Sequence, residues 1–407
     1  MTPKDLISMD DALDHMLRAA RPVEQVEHVL TSAALGRVLA QSQVSANAVP
    51  PLDNSAMDGY AVRAAELNAL GDTRLPVSQR IAAGSVGQQL ARSTAARIFT
   101  GAPVPPGADA VVMQELTTAE GNDVVIHKAV APGNSIRRAG EDIAVGATVL
   151  SAGTRLAAQH LGLAASIGIA KLPVHRRLRV ATFFTGDELV TPGEPLGPGQ
   201  IYNSNRYTLN GLLQALGCEV LDLGTVPDNL AATVAVLDKA AQRADLIVTS
   251  GGMSVGEEDY VKAAVEQRGK LDMWRIAVKP GKPLAFGSVG KAAFIGLPGN
   301  PVSVFVTFCL FARPFVLRMQ GATDVMPASY WVEADFEWSR PDKRREFLRA
   351  RLNRDGSGKT SASIFPHQGS GVLTSTVWGH GLVDVPGGTT VSRGQLVRFL
   401  PFTELVQ

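Results

Sequence analysis

Cysteine is nearly absent: 407 residues carry only Cys218 and Cys309. Both lie in apolar stretches, Leu216-Gly217-Cys218-Glu219-Val220 and Thr307-Phe308-Cys309-Leu310. That excludes a disulfide framework and any cysteine zinc spacing, and two buried thiols in a reducing compartment are expected. Charge of one sign is also missing. Lys plus Arg is 39 and Asp plus Glu is 38, a net charge of +1, so no global field draws the chain to nucleic acid or to an anionic membrane. The seven histidines are scattered without metal-ligand spacing, which excludes a histidine-based metal centre. The longest apolar run, Val302 to Leu317, is interrupted by Ser303, Thr307, Arg313 and Pro314. It falls short of the roughly 20 residues that cross a bilayer. The opening Met1-Thr2-Pro3-Lys4-Asp5 is polar and lacks the basic-then-apolar order of a secretion signal. A cytoplasmic protein with no nucleic-acid or membrane partner is expected. There is no G-x-x-x-x-G-K-[ST] and no G-x-G-x-x-G opening a helix, which excludes those modes of nucleotide binding.

What is present is a chain too long for one core, so two to four domains are expected. Ser8-Met9-Asp10-Asp11 resembles a capping box opening an amphipathic helix with Leu13, Met16 and Leu17 on one face. A second short helix is predicted near Ser32 to Leu39. After Ala48-Val49-Pro50-Pro51 the chain turns β-prone, with short segments at 77–82, 96–99, 110–114 and 123–129 punctuated by Gly and Pro. Residues 155–169 read as helix. From Leu178 strands and helices alternate to Met319, the pattern of a doubly wound parallel sheet. Beyond Ser329 five strand-like segments suggest a small all-β domain of about 80 residues. The fold class expected is therefore multidomain α/β plus β. A discontinuous unit from 1–50 and 141–176 would carry an inserted β-rich lid at 51–140, followed by an α/β unit at 177–328 and a barrel-like β unit at 329–407.

Open α/β sheets bind ligands beyond the carboxyl ends of their strands. Three such ends carry unusual residues: Thr185-Gly186-Asp187-Glu188, Ser250-Gly251-Gly252-Met253-Ser254-Val255-Gly256-Glu257-Glu258-Asp259-Tyr260, and Leu297-Pro298-Gly299-Asn300-Pro301. Paired glycines let backbone N–H groups approach an anion, and the acids that follow suit Mg²⁺. Each segment alone also reads as an ordinary βα turn or a solvated helix start; three in one unit favour a site. Lys279-Pro280-Gly281-Lys282-Pro283, with Arg275 four residues earlier, puts fixed positive charge on a stiff turn. Without the neighbouring glycine loops it would read as a basic hairpin. Taken singly, Asp53 to Tyr60, Thr100 to Gly107 and Arg137 to Asp142 are turn and surface chemistry.

Taken in order, these segments resemble the molybdopterin molybdenumtransferase family, the bacterial molybdate-insertion enzymes and the matching domain of gephyrin. The resemblance spans essentially the whole chain. It implies an elongated homodimer of four-domain subunits, with the lid of one subunit closing the α/β cleft of the other. The substrates it implies are adenylylated molybdopterin and molybdate, and the products AMP and molybdenum cofactor. Matched position by position, it assigns function to Asp58, Thr100, Asp142, Glu188, Asp228, Asp259, Lys279 and Lys282, with Mg²⁺ held by Asp228 and Asp259. Thr185, Gly186, Asp187, Ser250, Gly251, Gly252, Ser254, Gly256, Pro298, Gly299, Asn300 and Pro301 would line the substrate. Arg275 stands where a bacterial relative has Lys, which keeps the charge but changes its shape. Arg349 and Ser370 match an oxyanion site for molybdate. Transient contacts with the molybdopterin-adenylylating protein and with cofactor-delivery proteins are implied. Two other readings remain at this stage, adenylylation of molybdopterin by ATP and a gephyrin-like scaffold.

Overall fold

The computed structural model describes residues 6–252 and 260–406. Asp259, Ser254 and Gly256 lie outside the described residues.

The first helix is Met9–Ala19. Ser8 caps it, its hydroxyl oxygen accepting from the Asp11 amide at 3.0 Å, and Arg18 in the last turn complements the helix dipole. Its apolar stripe packs on the α/β sheet, in a cluster that also takes in Val23 and Val38. Leu6–Ile7 forms a parallel edge strand beside Arg275–Ile276, and Ala12, Leu13 and Met16 enter the same core cluster as the α/β sheet. The cause is a ready apolar surface: Trp274 stacks on Phe286, and the His15 ring meets the edge of Trp274. The second helix expected near 32–39 is only a 3₁₀ turn, Thr31–Ala33. Gly36 at φ +72° turns the chain out of the right-handed region there.

Residues 26–50 and 141–176 pair with each other. Val26–Leu30 runs antiparallel to Lys171–His175, and Gln43–Val44 to Thr148–Leu150. The helix expected over 155–169 is confined to Ala158–Ser166. Between the two halves lies a six-stranded sheet. Its order is Ala110–Met113, Gly59–Val62, Ala95–Ile98, Thr73–Ile81, Asp123–Ile126, Thr117–Glu120. Its two faces bury separate apolar clusters, one around Tyr60, Val62 and Val112, the other around Ile81, Ile98 and Val111.

The seven-stranded sheet is parallel at its centre. Glu219–Val226, Arg179–Thr185, Leu246–Ser250 and Ala292–Leu297 lie side by side in that order. The hairpin Gly269–Ile276 and Pro283–Val289 extends it with antiparallel pairing. Near-continuous apolar strands are what a sheet covered on both faces requires, and Phe183, Phe184, Ile247, Val248 and Ile295 are fully buried. The helical rod Pro301–Met319 contains a π-turn at Phe308–Ala312. At 19 residues it does reach the length and apolarity of a membrane span, but 89% of it is buried inside the fold. Burial, rather than shortness, marks it as a core helix. Five strands, Tyr330–Ala334, Arg345–Arg354, Thr360–Ile364, Gly381–Val385 and Leu396–Pro401, close on themselves through the pairing of Arg345–Arg354 with both Thr360–Ile364 and Gly381–Val385. The result is a small barrel with its own core.

Candidate active site

Parallel strands that end level bring their following loops together. Phe184, Ser250 and Leu297 are register partners, with Thr185 one residue further on, and the Gly251 amide donates to the Leu297 carbonyl at 3.3 Å. Gly251 and Gly252 hold φ of +86° and +62°, a left-handed pair that turns successive backbone N–H groups toward one side. Gly299 packs on Gly251: a Cβ on Gly299 would stand 3.7 Å from the Gly251 Cα. Glu188 folds back over Gly186, whose lack of a side chain makes room for the carboxylate. Asp187 accepts from the Asp228 amide at 3.3 Å, so the ends of the first two strands are tied. The three glycine-bearing strand ends singled out by sequence therefore meet, with Asp228 beside them. Ser250, 3% exposed, has a hydroxyl with no partner among the described residues.

The lysine turn reaches the same helix that follows Pro301. Gly281, at φ +112°, lies where a Cβ would collide with the Thr307 hydroxyl, so the turn is seated on the helix Pro301–Thr307. Lys279 and Lys282 are borne on that turn, Lys282 exposed. Arg275 lies opposite Pro283 in the hairpin. On the barrel side, the Ser370 carbonyl accepts from the Val302 amide at 2.9 Å. Arg349 is fully buried and donates to the Ser375 hydroxyl at 3.0 Å, the Gly369 carbonyl at 3.1 Å and the Phe347 carbonyl at 3.4 Å. Burial alone pushes its pKa down to about 10. Ser375 rather than Ser370 supplies the hydroxyl that Arg349 holds.

A second cluster sits on the inserted sheet. One Asp58 carboxylate oxygen accepts from both the amide and the hydroxyl of Thr100, each at 2.8 Å. These bonds, the amide's first, lower the Asp58 pKa. The pair is thus intact above the ordinary carboxylate range and is lost only as pH falls through the depressed value. Gly59 is required beside it, since a Cβ would strike the Val112 carbonyl. Asp142 and Arg137 line a hollow of about 420 Å³ with Val49, Pro50, Asn54 and Glu141. Among the described residues no hydrogen bond or ion pair joins this cluster to the strand ends. Asp58→Ala is expected to remove hydrogen-exchange protection from the Thr100 amide with little change in the thermal midpoint; unchanged protection would show that another group holds it.

Three residues escaped the sequence reading. Asn205 donates to the Gly299 carbonyl at 2.7 Å and so fixes the third loop; its place in the first turn of a helix capped by Asn203 gave the only hint. Ser375 and Glu346, which meet Arg349 and Lys279, carried no local signal. Both cysteines are buried as expected, and burial raises each thiol pKa to about 12.

Family comparisons cover nearly the whole chain. Residues 7–168 match the MoeA N-terminal region (domain I and II), 181–318 a probable molybdopterin binding domain, and 332–402 the MoeA C-terminal region (domain IV). A molybdopterin molybdenumtransferase of Haemophilus influenzae is 39% identical over 405 residues, covering 98% of this chain and all of that one. Molybdopterin molybdenumtransferase 2 of Mycobacterium tuberculosis is 40% identical, covering 91% of this chain and 92% of that one. The solved molybdopterin biosynthesis moeA protein of Pyrococcus horikoshii OT3 superposes with a TM-score of 0.84 at 28% identity, covering 98% of this chain and 100% of that one. The chain belongs to the molybdopterin molybdenumtransferase family, enzymes of molybdenum-cofactor biosynthesis.

Proposed function

We propose that this chain inserts molybdate into the dithiolene of an adenylylated molybdopterin, releasing AMP and molybdenum cofactor. The observation that carries the reading is the meeting of three glycine-bearing strand ends beside the helix on which the Lys279–Lys282 turn is seated. The substrate is anionic at its phosphoanhydride, and molybdate is an anion too. The Gly252 amide and the Lys279 and Lys282 ammoniums suit the first. Arg349, buried beside Gly369 and Ser375 at the barrel's flank, suits the second. Positioning and fixed positive charge would lower the barrier as AMP departs. Adenylyl transfer and a pure scaffold are not favoured, since relatives matched over almost their full length carry the transferase name.

Mg²⁺ belongs to the proposal, held by Asp228 with Asp259. Among the described residues no three ligating side chains converge on one point, so no step is routed through the ion. The homodimer is likewise proposed. Among the described residues Asp58, Thr100 and Asp142 make no hydrogen bond or ion pair with the strand ends of their own chain, and a second copy would set them over its partner's cleft. The exposed Val26, Leu30, Leu35 and Val44 offer an apolar surface for that pairing. Transient contact with the adenylylating protein and with delivery proteins, and a cytoplasmic location, complete the proposal.

The deciding experiment supplies purified protein with adenylylated molybdopterin, molybdate and Mg²⁺. AMP release that depends on molybdate and falls with a chelator is expected. Consumption of ATP and free molybdopterin instead would sink the insertion reading.

A further inference from the structure

Lys279 is not free in its cleft. It ends the two-residue strand Val278–Lys279, which runs parallel to Arg345–Glu346 of the barrel, with Lys279 directly opposite Glu346. The Lys279 ammonium lies 2.8 Å from one Glu346 oxygen and 3.4 Å from Asp342. Glu346 is only 2% exposed. Its other oxygen accepts from the Trp338 indole N–H at 2.8 Å and from the Asp342 amide at 3.4 Å. Asp342 is itself gripped by Arg344 through its amide and two guanidinium nitrogens, at 3.0, 3.0 and 2.8 Å. Both carboxylates are therefore held by groups other than Lys279.

We propose that Glu346, supported by Asp342, is a positioning residue for Lys279: the barrel, not the α/β sheet, sets where this ammonium stands in the cleft. An ammonium has three donors. Two carboxylates within ion-pair distance draw the ammonium to one side. The Lys279 side chain is 40% exposed, so an anion can approach the ammonium from the other. A lysine stem is flexible, and without the carboxylates the charge would be spread over many rotamers. The strand pairing and the Arg345 amide bond to the Ala277 carbonyl at 2.9 Å keep the two units in register, so that the buried glutamate acts as a fixed stop. The Arg345 guanidinium meets Asp384 of the barrel and Asp10 of the first helix, which fastens the same junction from its other side.

This inference rests on the reading of Lys279 as a substrate-holding group, and the test separates the two. AMP binding to the full-length protein is measured by calorimetry for Lys279→Ala, Glu346→Gln and the double variant, with thermal midpoints for each. Glutamine keeps the shape of Glu346 and an oxygen for Trp338, but it turns an amide donor or a neutral oxygen toward the lysine. Glu346→Gln is expected to weaken AMP binding about ten-fold, a usual size for one member of a coupled network, and the double variant to bind no worse than Lys279→Ala alone. Lys279→Ala is expected to lower the midpoint by stranding a buried carboxylate, and Glu346→Gln to restore part of that loss. Asp342→Asn, expected to act in the same direction but less, replaces Glu346→Gln in the cycle if that variant does not fold. Losses that multiply in the double variant, or a Glu346→Gln protein that binds AMP normally while Lys279→Ala does not, overturn the positioning role alone. Normal binding by Lys279→Ala overturns the anion cleft and the inference with it.

Discussion

Arg349→Met is expected to leave a folded protein that needs far more molybdate. The guanidinium is fully buried, and among the described residues no carboxylate lies within ion-pair distance of it. Its contacts are a serine hydroxyl and two carbonyls. A charge so placed is costly: burial pushes its pKa down to about 10, a shift that corresponds to roughly 3 kcal/mol at neutral pH. The sign follows from linkage. A cationic group with a depressed folded pKa burdens the folded state below that pKa, and the burden lifts as pH rises from about 10 toward the unfolded value. Methionine removes the burden but leaves the Gly369 and Phe347 carbonyls short of a donor, at about 1–3 kcal/mol for each buried unpaired group. The two terms nearly cancel, so the thermal midpoint should move by only a few degrees. Function has no such compensation. If the unpaired guanidinium is held ready for an oxyanion, its loss removes a buried charge-assisted contact, and the molybdate concentration for half-maximal AMP release should rise about 100-fold. Arg349→Lys keeps the charge without the fork and should fall between. An Arg349→Met protein that unfolds, yet in its folded fraction uses molybdate normally, would show that the residue only braces the Ser370 loop.

How far this was readable from sequence depends on the range over which each feature is encoded. Local signals were honest. Ser8 and Asp11 gave the first helix start, the apolar runs ending at Thr185, Ser250 and Leu297 gave the parallel strands, and the alternating segments after Ser329 gave the barrel. Features encoded by distant pairing were not visible. Leu6–Ile7 is two residues long and becomes a strand only because Arg275–Ile276 offers an edge. The Lys-Pro-Gly-Lys turn offered a basic hairpin only as its alternative reading, and its flanks, Gly269–Ile276 with Pro283–Val289, do form one. The 32–39 segment had helical composition, but Gly36 sits in the left-handed region where the chain bends back, its amide donating to the Leu156 carbonyl. Among site residues the same division holds. Glycines and acids at strand ends announce themselves, because a βα loop has few other reasons to collect them. Glu346 acquires its role from strand register with Lys279, and Ser375 from a short helix, Thr374–Trp378, that meets Arg349; no window along the chain contains either pairing.

The glycine turn carries the second large effect. Gly252→Ala is expected to abolish most activity, with AMP release falling on the order of 100-fold, because displacing a reacting group by about 1 Å costs that much. At φ +62° an alanine meets left-handed strain of about 1–2 kcal/mol. Its Cβ would also lie 2.7 Å from Val261 Cγ2 and 3.2 Å from the Thr185 hydroxyl. Val261 is fully buried, so it has nowhere to retreat and the turn must move instead, carrying its amides out of line. Gly251→Ala separates strain from collision. Its φ of +86° is equally left-handed, but the nearest atom to a new Cβ is the Thr185 carbonyl oxygen at 3.5 Å, an ordinary contact. The strain lowers stability in both variants, whereas the larger displacement belongs to Gly252→Ala. Denaturant midpoints should therefore fall in both, further in Gly252→Ala, while AMP release should separate them by about ten-fold or more. Equal activities in the two variants would mean that no anion is cradled by these amides. A Gly252→Ala protein with native activity would remove the turn from the site altogether.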